Sequence, residues 1–255
     1  MEFQSSLDQL GCPPRVESIW ELMDVAWRSC GCSQWRYDPK RYSAFYSHFV
    51  WELNGLFVDH DPESLLHREI FAHAIASRRP KKILDYGGGH GTLARLIADR
   101  CPEAVVELFD PYALSRSAKS FDRVETLEEN SYDVIVATDV LEHVHDPLRL
   151  LQKWSDLLVP GGWLLLANCF EPVVLCHLPK TFYLSFSLPV FARAFGLQYI
   201  SPVGETHAIW LQKVASTSPC WPWLRLQEVW SQLLYPYRRF WQRWGAALRR
   251  RLPWG

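Results

Sequence analysis

The 255-residue chain has no run of 18 or more apolar residues, so no segment is expected to cross a bilayer as a helix. It also lacks net charge: 27 Lys and Arg stand against 28 Asp and Glu, leaving -1. With 48% hydrophobic residues, that balance excludes disorder for most of the chain. Composition further excludes collagen, coiled-coil and disulfide-scaffold classes. The cysteines number seven, odd and widely scattered, which reads as free thiols in a reducing compartment. Cys30-Gly31-Cys32 has the wrong spacing for a zinc knuckle and no second pair beside it. The opening Met1-Glu2-Phe3-Gln4-Ser5 has neither a charged start nor an apolar stretch, so no secretory signal is expected and the expected setting is cytoplasmic. What is present is enough length for one large α/β domain with accessory elements.

The chain reads in three regions: 1–80, 81–215 and 216–255. Region 1–80 is helical in pattern and rich in aromatics. Arg15 to Arg28 repeats apolar residues at helical period, and Arg41 to Phe57 is a second candidate, with Tyr42, Phe45, Tyr46, Phe49 and Trp51. Asp61-Pro62-Glu63 is a helix start, with Asp as cap, Pro at the first position and an acid in the first turn. These helices suit a lid or cap.

From Lys81 onward, apolar runs of strand length alternate with helical patterns. Strands are expected at Lys82–Tyr86, Val105–Phe109, Tyr132–Thr138 and Trp163–Ala167, with helices at Thr92–Arg100 and Pro147–Leu158. A turn is expected at Pro160-Gly161-Gly162, and Leu197–Val203 with Thr206–Val214 reads as a closing antiparallel pair. Such alternation implies βαβ units around a mainly parallel sheet covered on both faces.

The stretch Ile83-Leu84-Asp85-Tyr86-Gly87-Gly88-Gly89-His90-Gly91-Thr92-Leu93 carries a buried strand into a glycine-rich turn that opens a helix. Glycines permit positive φ and close approach of a ligand to the backbone. The helix start offers free N–H groups to an anion. A P-loop would need lysine after its last glycine, and a GxGxxG dinucleotide loop would need glycine where Thr92 stands. Downstream, Val105–Phe109 ends in Asp110, Ser131–Val144 runs into Asp139-Val140-Leu141-Glu142-His143, and Pro160-Gly161-Gly162 precedes an apolar run.

In this order the segments resemble the motifs of class I S-adenosylmethionine (SAM)-dependent methyltransferases over about residues 80–214. The resemblance implies an αβα three-layer sandwich, Rossmann-like, around a seven-stranded, mostly parallel sheet with one antiparallel strand near the edge. It implies methyl transfer from SAM to a small-molecule or lipid-like acceptor, with Asp85, Gly87, Gly89, Gly91, Asp110 and Asp139 binding the co-substrate. Asp110 would accept hydrogen bonds from both ribose hydroxyls; alternatively it caps a helix beginning at Pro111. The third strand, near Phe121–Val124, is poorly marked, which leaves Glu125 and Thr126 as candidates for the adenine contact.

Asp139, His143 and His177 are the candidates for catalysis. His143 is read either as a base or as a brace for its loop, and His145 as a solvated loop residue. Asp139, Glu142 and His143 offer the oxygen and imidazole donors of a divalent-metal site. A related segment binds metal in ubiquinone-pathway O-methyltransferases, but it also occurs in metal-free relatives, and no metal is expected. Lys180 and Tyr183 fall near the expected acceptor pocket, with a surface position the simpler reading of Lys180. A non-catalytic SAM-fold module, or a membrane-associated assembly partner, is the rival reading.

Residues 216–255 carry seven arginines and one acid, Glu228, a local charge of +6 against -7 on the rest. Leu226, Val229, Trp230, Leu233, Tyr237, Trp241, Trp244 and Leu248 recur at three- and four-residue steps, an amphipathic stripe. Pro236 predicts a break near the middle. Two readings stand side by side: the stripe packed on the acidic body, or an interfacial helix on an anionic membrane. A nucleic-acid partner fits less well, since the aromatics form a stripe and not a stacking platform.

Overall fold

The computed structural model describes residues 15–112 and 121–251, with side chains described as far as Arg238 in the last helix. The opening pentapeptide, Cys12 and residues 252–255 lie outside the described residues, as do the side chains of Trp241, Trp244 and Leu248.

Among the described residues four helices come first: α1 (Val16–Ser29), α2 (Pro39–Tyr46), α3 (Val50–His60) and α4 (Pro62–Ala76). The aromatic segment is thus two helices and not one. The ladder ends at Ser47, and the next helix is started by His48, whose Nδ1 accepts from the amide of Val50 at 3.1 Å. Asp61 caps α4 as expected, accepting from the Ser64 amide at 2.8 Å. The alternating part comes next as β1 (Lys82–Tyr86), α5 (Thr92–Arg100), β2 (Val105–Phe109), β3 (Asp122–Arg123), β4 (Tyr132–Thr138), α6 (Pro147–Leu157), β5 (Leu158–Ala167), α7 (Leu184–Ala194), β6 (Leu197–Pro202) and β7 (Ile209–Lys213). A 31-residue helix, α8 (Trp221–Arg251), closes the order.

The seven strands lie in the order β3-β2-β1-β4-β5-β7-β6. The pairs from β3 to β5 are parallel, and β7 runs antiparallel to both β5 and β6. This is the expected α/β sandwich. Strand β5 begins five residues earlier than the apolar run suggests: Leu158 pairs with Tyr132, and the ladder resumes only at Val134 and Trp163. Pro160-Gly161-Gly162 therefore forms an irregularity inside the strand, with Gly161 at φ +80°.

Alternate residues of β4 serve opposite layers. Val134 and Val136 pack with Phe71, Ala72 and Ile75 of α4 and Ala94 and Ile97 of α5. Ile135 and Ala137 face Leu151 and Trp154 of α6 and Phe191 of α7. Helices α1–α3 keep a third apolar cluster, built on Ile19, Trp27, Phe45 and Phe57, and seat it on Val174, Cys176 and Leu178. The seat is fixed by polar bonds: Asp24 accepts from the Leu175 amide at 2.7 Å, and Gln34 donates to the carbonyls of Leu175 and His177 at 2.9 and 3.1 Å. These three helices roof the strand ends.

Helix α8 corrects two sequence expectations. It runs through Pro236 without interruption, although that residue removes one i→i-4 bond and its ring crowds the preceding turn. Nor do the described residues of the apolar stripe, Leu226, Val229, Trp230, Leu233 and Tyr237, pack on the body. The docked face is a different one, with Leu224 buried, Glu228 buried and Tyr235 against Phe182 and Phe186.

Candidate active site

β1 delivers the chain into the glycine turn at the carboxyl edge of the sheet. Gly87, Gly89 and Gly91 all have positive φ, at +76°, +51° and +81°. Gly91 is the N-cap of α5; a β-carbon there would come within 2.4 Å of the Phe121 ring, so it shapes the turn from behind. Gly89 is different, for a β-carbon there would meet nothing within 4 Å. Its open side faces a cavity of about 1120 Å³ between the turn and the helical roof.

That cavity brings together Asp85, Gly87, Gly89, Asp110, Asp139, His143 and His177. Of the glycines, acids and histidines expected to bind the co-substrate through motif positions or to act in catalysis, Gly91 does not line it, nor do the adenine-contact candidates Glu125 and Thr126. Asp85 is buried beneath the turn, and neither carboxyl oxygen has a hydrogen-bond partner among the described residues. Burial raises its pKa to about 7, with the Arg68 guanidinium opposing the rise and Asp110 adding to it. Asp110 accepts from the Gly89 amide through Oδ2 at 3.0 Å and from the Tyr112 amide through Oδ1 at 2.9 Å. It therefore ties the end of β2 to the glycine turn, and among the described residues no helix begins at Pro111 for it to cap. Asp139 sits just beyond β4 with φ +54°, and its amide donates to the Ala167 carbonyl at 2.7 Å. Non-glycine residues in this region are uncommon and concentrate at functional sites.

His143 and His177 meet edge to face, with ring centroids 4.9 Å apart. Each binds a carbonyl through Nδ1: His143 that of Cys176 at 3.1 Å, His177 that of Glu171 at 2.7 Å. Burial, with His177 alongside, lowers the pKa of His143 to about 3; burial also lowers that of His177. Both are neutral imidazoles, and a donating Nδ1–H leaves Nε2 with its lone pair. Glu142 is buried beside them, with Oε2 accepting from Asn168 Nδ2 and Oε1 from the Cys169 amide, both at 2.6 Å. Burial, reinforced by Asp139, pushes its carboxyl well above the usual range.

The donor atoms that converge are those of Glu142, His143 and His177, mutually within 4.8 Å. Asp139 is not part of this group, so the metal set suggested by the sequence segment is replaced by one that includes His177. A divalent ion there would supply a counter-charge for Glu142, whose oxygens each keep a lone pair beyond the one donor they hold.

Other sequence readings are corrected. His145 is not a solvated loop residue: it is partly buried, its Nε2 pairs with the Tyr42 hydroxyl at 2.7 Å, and its Nδ1 meets Lys180 Nζ at 3.3 Å. Lys180 is accordingly half-buried behind the cavity wall instead of on the surface. Tyr183 is buried away from the cavity and donates its hydroxyl to Glu228 of α8 at 2.7 Å. Glu125 and Thr126 do not reach the cavity. Cys30 and Cys32 are free thiols.

The sequence reading missed Arg68, which lines the cavity from α4 and feels the charges of Asp139 and Asp85. It also missed the latch from α3 to the glycine turn, where Asp59 accepts from Thr92 Oγ1 and from Arg95 Nη2. Tyr46, packed between Trp51 and Tyr112 at 5.2 and 5.0 Å, completes an aromatic wall.

A parallel sheet with an antiparallel insertion, a glycine turn at its carboxyl edge and an acid at the end of the next strand define a class I SAM-dependent methyltransferase. The chain belongs to the methyltransferase-domain family, whose profile matches residues 57–233. It is 29% identical over 180 residues to a ubiquinone biosynthesis O-methyltransferase of Xanthomonas campestris pv. campestris, covering 62% of this chain and 68% of that protein. A trans-aconitate 2-methyltransferase of Mycobacterium tuberculosis is 31% identical over 120 residues, covering 41% of this chain and 46% of that protein. Among solved structures, a 1,6-didemethyltoxoflavin-N1-methyltransferase from Burkholderia thailandensis, with 1,6-didemethyltoxoflavin and S-adenosylhomocysteine bound, aligns with a TM-score of 0.50 at 18% identity. The alignment covers 71% of this chain and 92% of that one.

Proposed function

We propose that this enzyme methylates a small, largely apolar, lipid-like acceptor that enters beneath the helical roof. The observation that carries the reading is that the glycine turn, Asp110 and the paired imidazoles line one continuous cavity. SAM supplies an electrophilic sulfonium methyl. The open side of Gly89 allows the backbone to approach it, and the carboxylate of Asp110 accepts hydrogen bonds from the ribose diol. Asp85, buried beneath the turn, attracts the amino group of its amino-acid end, Arg68 the carboxylate. Gly87 and Asp139 hold the neighbouring walls.

His143 and His177 act on the acceptor. A neutral Nε2 takes the proton that an O–H or N–H nucleophile must lose, and Asp139 orients the acceptor beside it. The aromatic wall excludes water and aligns the reactants, where most of the rate gain of such a displacement arises. The setting is cytoplasmic, at an anionic membrane surface reached through residues 216–255.

Calorimetry with S-adenosylhomocysteine tests the co-substrate site, and mass spectrometry of extracts incubated with SAM tests the acceptor. Binding, together with a product gaining one methyl group, is expected. Binding of NAD without binding of S-adenosylhomocysteine would overturn the reading.

A further inference from the structure

Helix α8 has two opposite faces. The inward one is clasped to the body: Leu224 is buried in the core, Glu228 accepts from Tyr183 Oη and Arg225 Nη1, both at 2.7 Å, and Gln232 donates to the Lys180 carbonyl at 3.1 Å. Arg225 also pairs with Asp146, a residue of the cavity wall. The outward face carries Trp223, Leu226, Trp230, Leu233 and Tyr237, which are 58%, 47%, 58%, 59% and 70% exposed. These residues keep three- and four-residue steps, and Trp241, Trp244 and Leu248 continue the period in the sequence.

We infer that this outward stripe docks in the plane of an anionic lipid bilayer, with the clasp holding the acceptor cavity beside the membrane. The inference rests on the proposed membrane setting and narrows residues 216–255 to the outward face of α8, held in place by the inward clasp. Two observations select lipid as the occupant. Among residues 216–255 the sole acid, Glu228, is buried on the inward face, so no carboxylate of the helix opposes phosphate headgroups. Arg225 is spent on Glu228 and Asp146, and the other six arginines of the segment would repel a second copy of the helix but attract anionic lipid. Trp and Tyr are the side chains that settle at headgroup depth. No described helix is long and apolar enough to cross a membrane, so the stripe lies along the interface. The clasp sets the orientation. Asp146 joins α8 directly to the cavity wall, and Lys180, whose carbonyl holds Gln232, reaches the wall again through His145.

The test uses the full-length protein in sedimentation with phosphatidylcholine vesicles, with and without phosphatidylglycerol. Binding only to the anionic vesicles, weakened by added salt, is expected. The double variant Trp230→Ser, Leu233→Ser, on the outward face alone, should lower vesicle affinity roughly tenfold or more. It should leave the melting temperature and S-adenosylhomocysteine affinity unchanged. The inference is overturned if the full-length protein stays in the supernatant at low salt, or if the double variant sediments as well as the parent. It is equally overturned if the variant dissociates a dimer, which would assign the stripe to a second copy, or if it releases bound RNA. Calorimetry on the same preparation separates the two ideas. S-adenosylhomocysteine binding without vesicle binding defeats only the membrane surface. Vesicle binding without S-adenosylhomocysteine binding defeats only the assigned chemistry.

Discussion

Gly55 of α3 lies against the imidazole of His90, so closely that a β-carbon on it would come within 2.3 Å of the ring. This contact and the Asp59–Thr92 bond are how the roof holds the glycine turn. Gly55→Ala should therefore push α3 off the turn, costing about 1–3 kcal/mol in chemical denaturation and weakening S-adenosylhomocysteine binding. Gly89→Ala is the control with the opposite balance. Nothing obstructs its side chain, so only the αL cost of about 1–2 kcal/mol reaches stability, while the methyl group occupies the approach path and affinity falls more than tenfold.

His143→Ala discriminates proton acceptance from bracing. If its Nε2 takes the acceptor's proton, kcat should fall roughly 100-fold or more, with S-adenosylhomocysteine affinity within about twofold of the parent. A lower melting temperature with unchanged turnover per folded molecule would instead assign His143 to holding the Cys176 carbonyl. EDTA should leave turnover unchanged if the neutral imidazoles act on the acceptor without a metal. Loss of activity on chelation, restored by a divalent metal, would give the cluster to a metal.

Asp85 makes stability depend on pH in a sense opposite to most carboxylates. Its folded pKa of about 7 lies above the ordinary 3.8, so the folded state binds the extra proton between these values. The stability it contributes is fully present below pH 3.8 and is lost as pH rises through about 7. Asp85→Asn removes this loss. The variant should gain on the ligand-free parent by roughly 1–4 kcal/mol between about pH 4 and 7, read from denaturation midpoints, while binding SAM more weakly. His143 contributes with the other sign. Its folded pKa of about 3 lies below 6.5, so both proteins lose stability together as pH falls from 6.5 toward 3.

The alternating core was legible because its signals are local. β1, the glycine turn, β2 and β4 are short apolar runs bounded by Gly, Asp and Pro, and Asp61 and Asp146 cap their helices within three residues. What escaped depends on partners far along the chain. His145 reads as a loop residue until Tyr42, 103 positions away, and Lys180 are brought beside it. Arg68 is an unremarkable cation on α4 until Asp85 and Asp139 arrive across the strand ends. The tail shows the same limit. Periodicity finds its apolar stripe, but which face docks is decided by Leu224, Glu228 and Gln232, and two of these three are polar. Pro236 misleads because its cost is confined to one lost bond and one crowded turn, in a helix of 31 residues.

The seat of the roof sets an order of assembly during synthesis. Helices α1–α3 leave the ribosome early, but their cluster is completed by Val174, Cys176 and Leu178, and Asp24 waits 151 positions for the Leu175 amide. Until that segment emerges, Trp27, Phe45 and Phe57 have no floor to bury them. The nascent chain therefore carries an exposed aromatic cluster through most of translation, when it is most exposed to aggregation and most dependent on chaperones. The cavity takes shape only when β5 and the turn after it have been made.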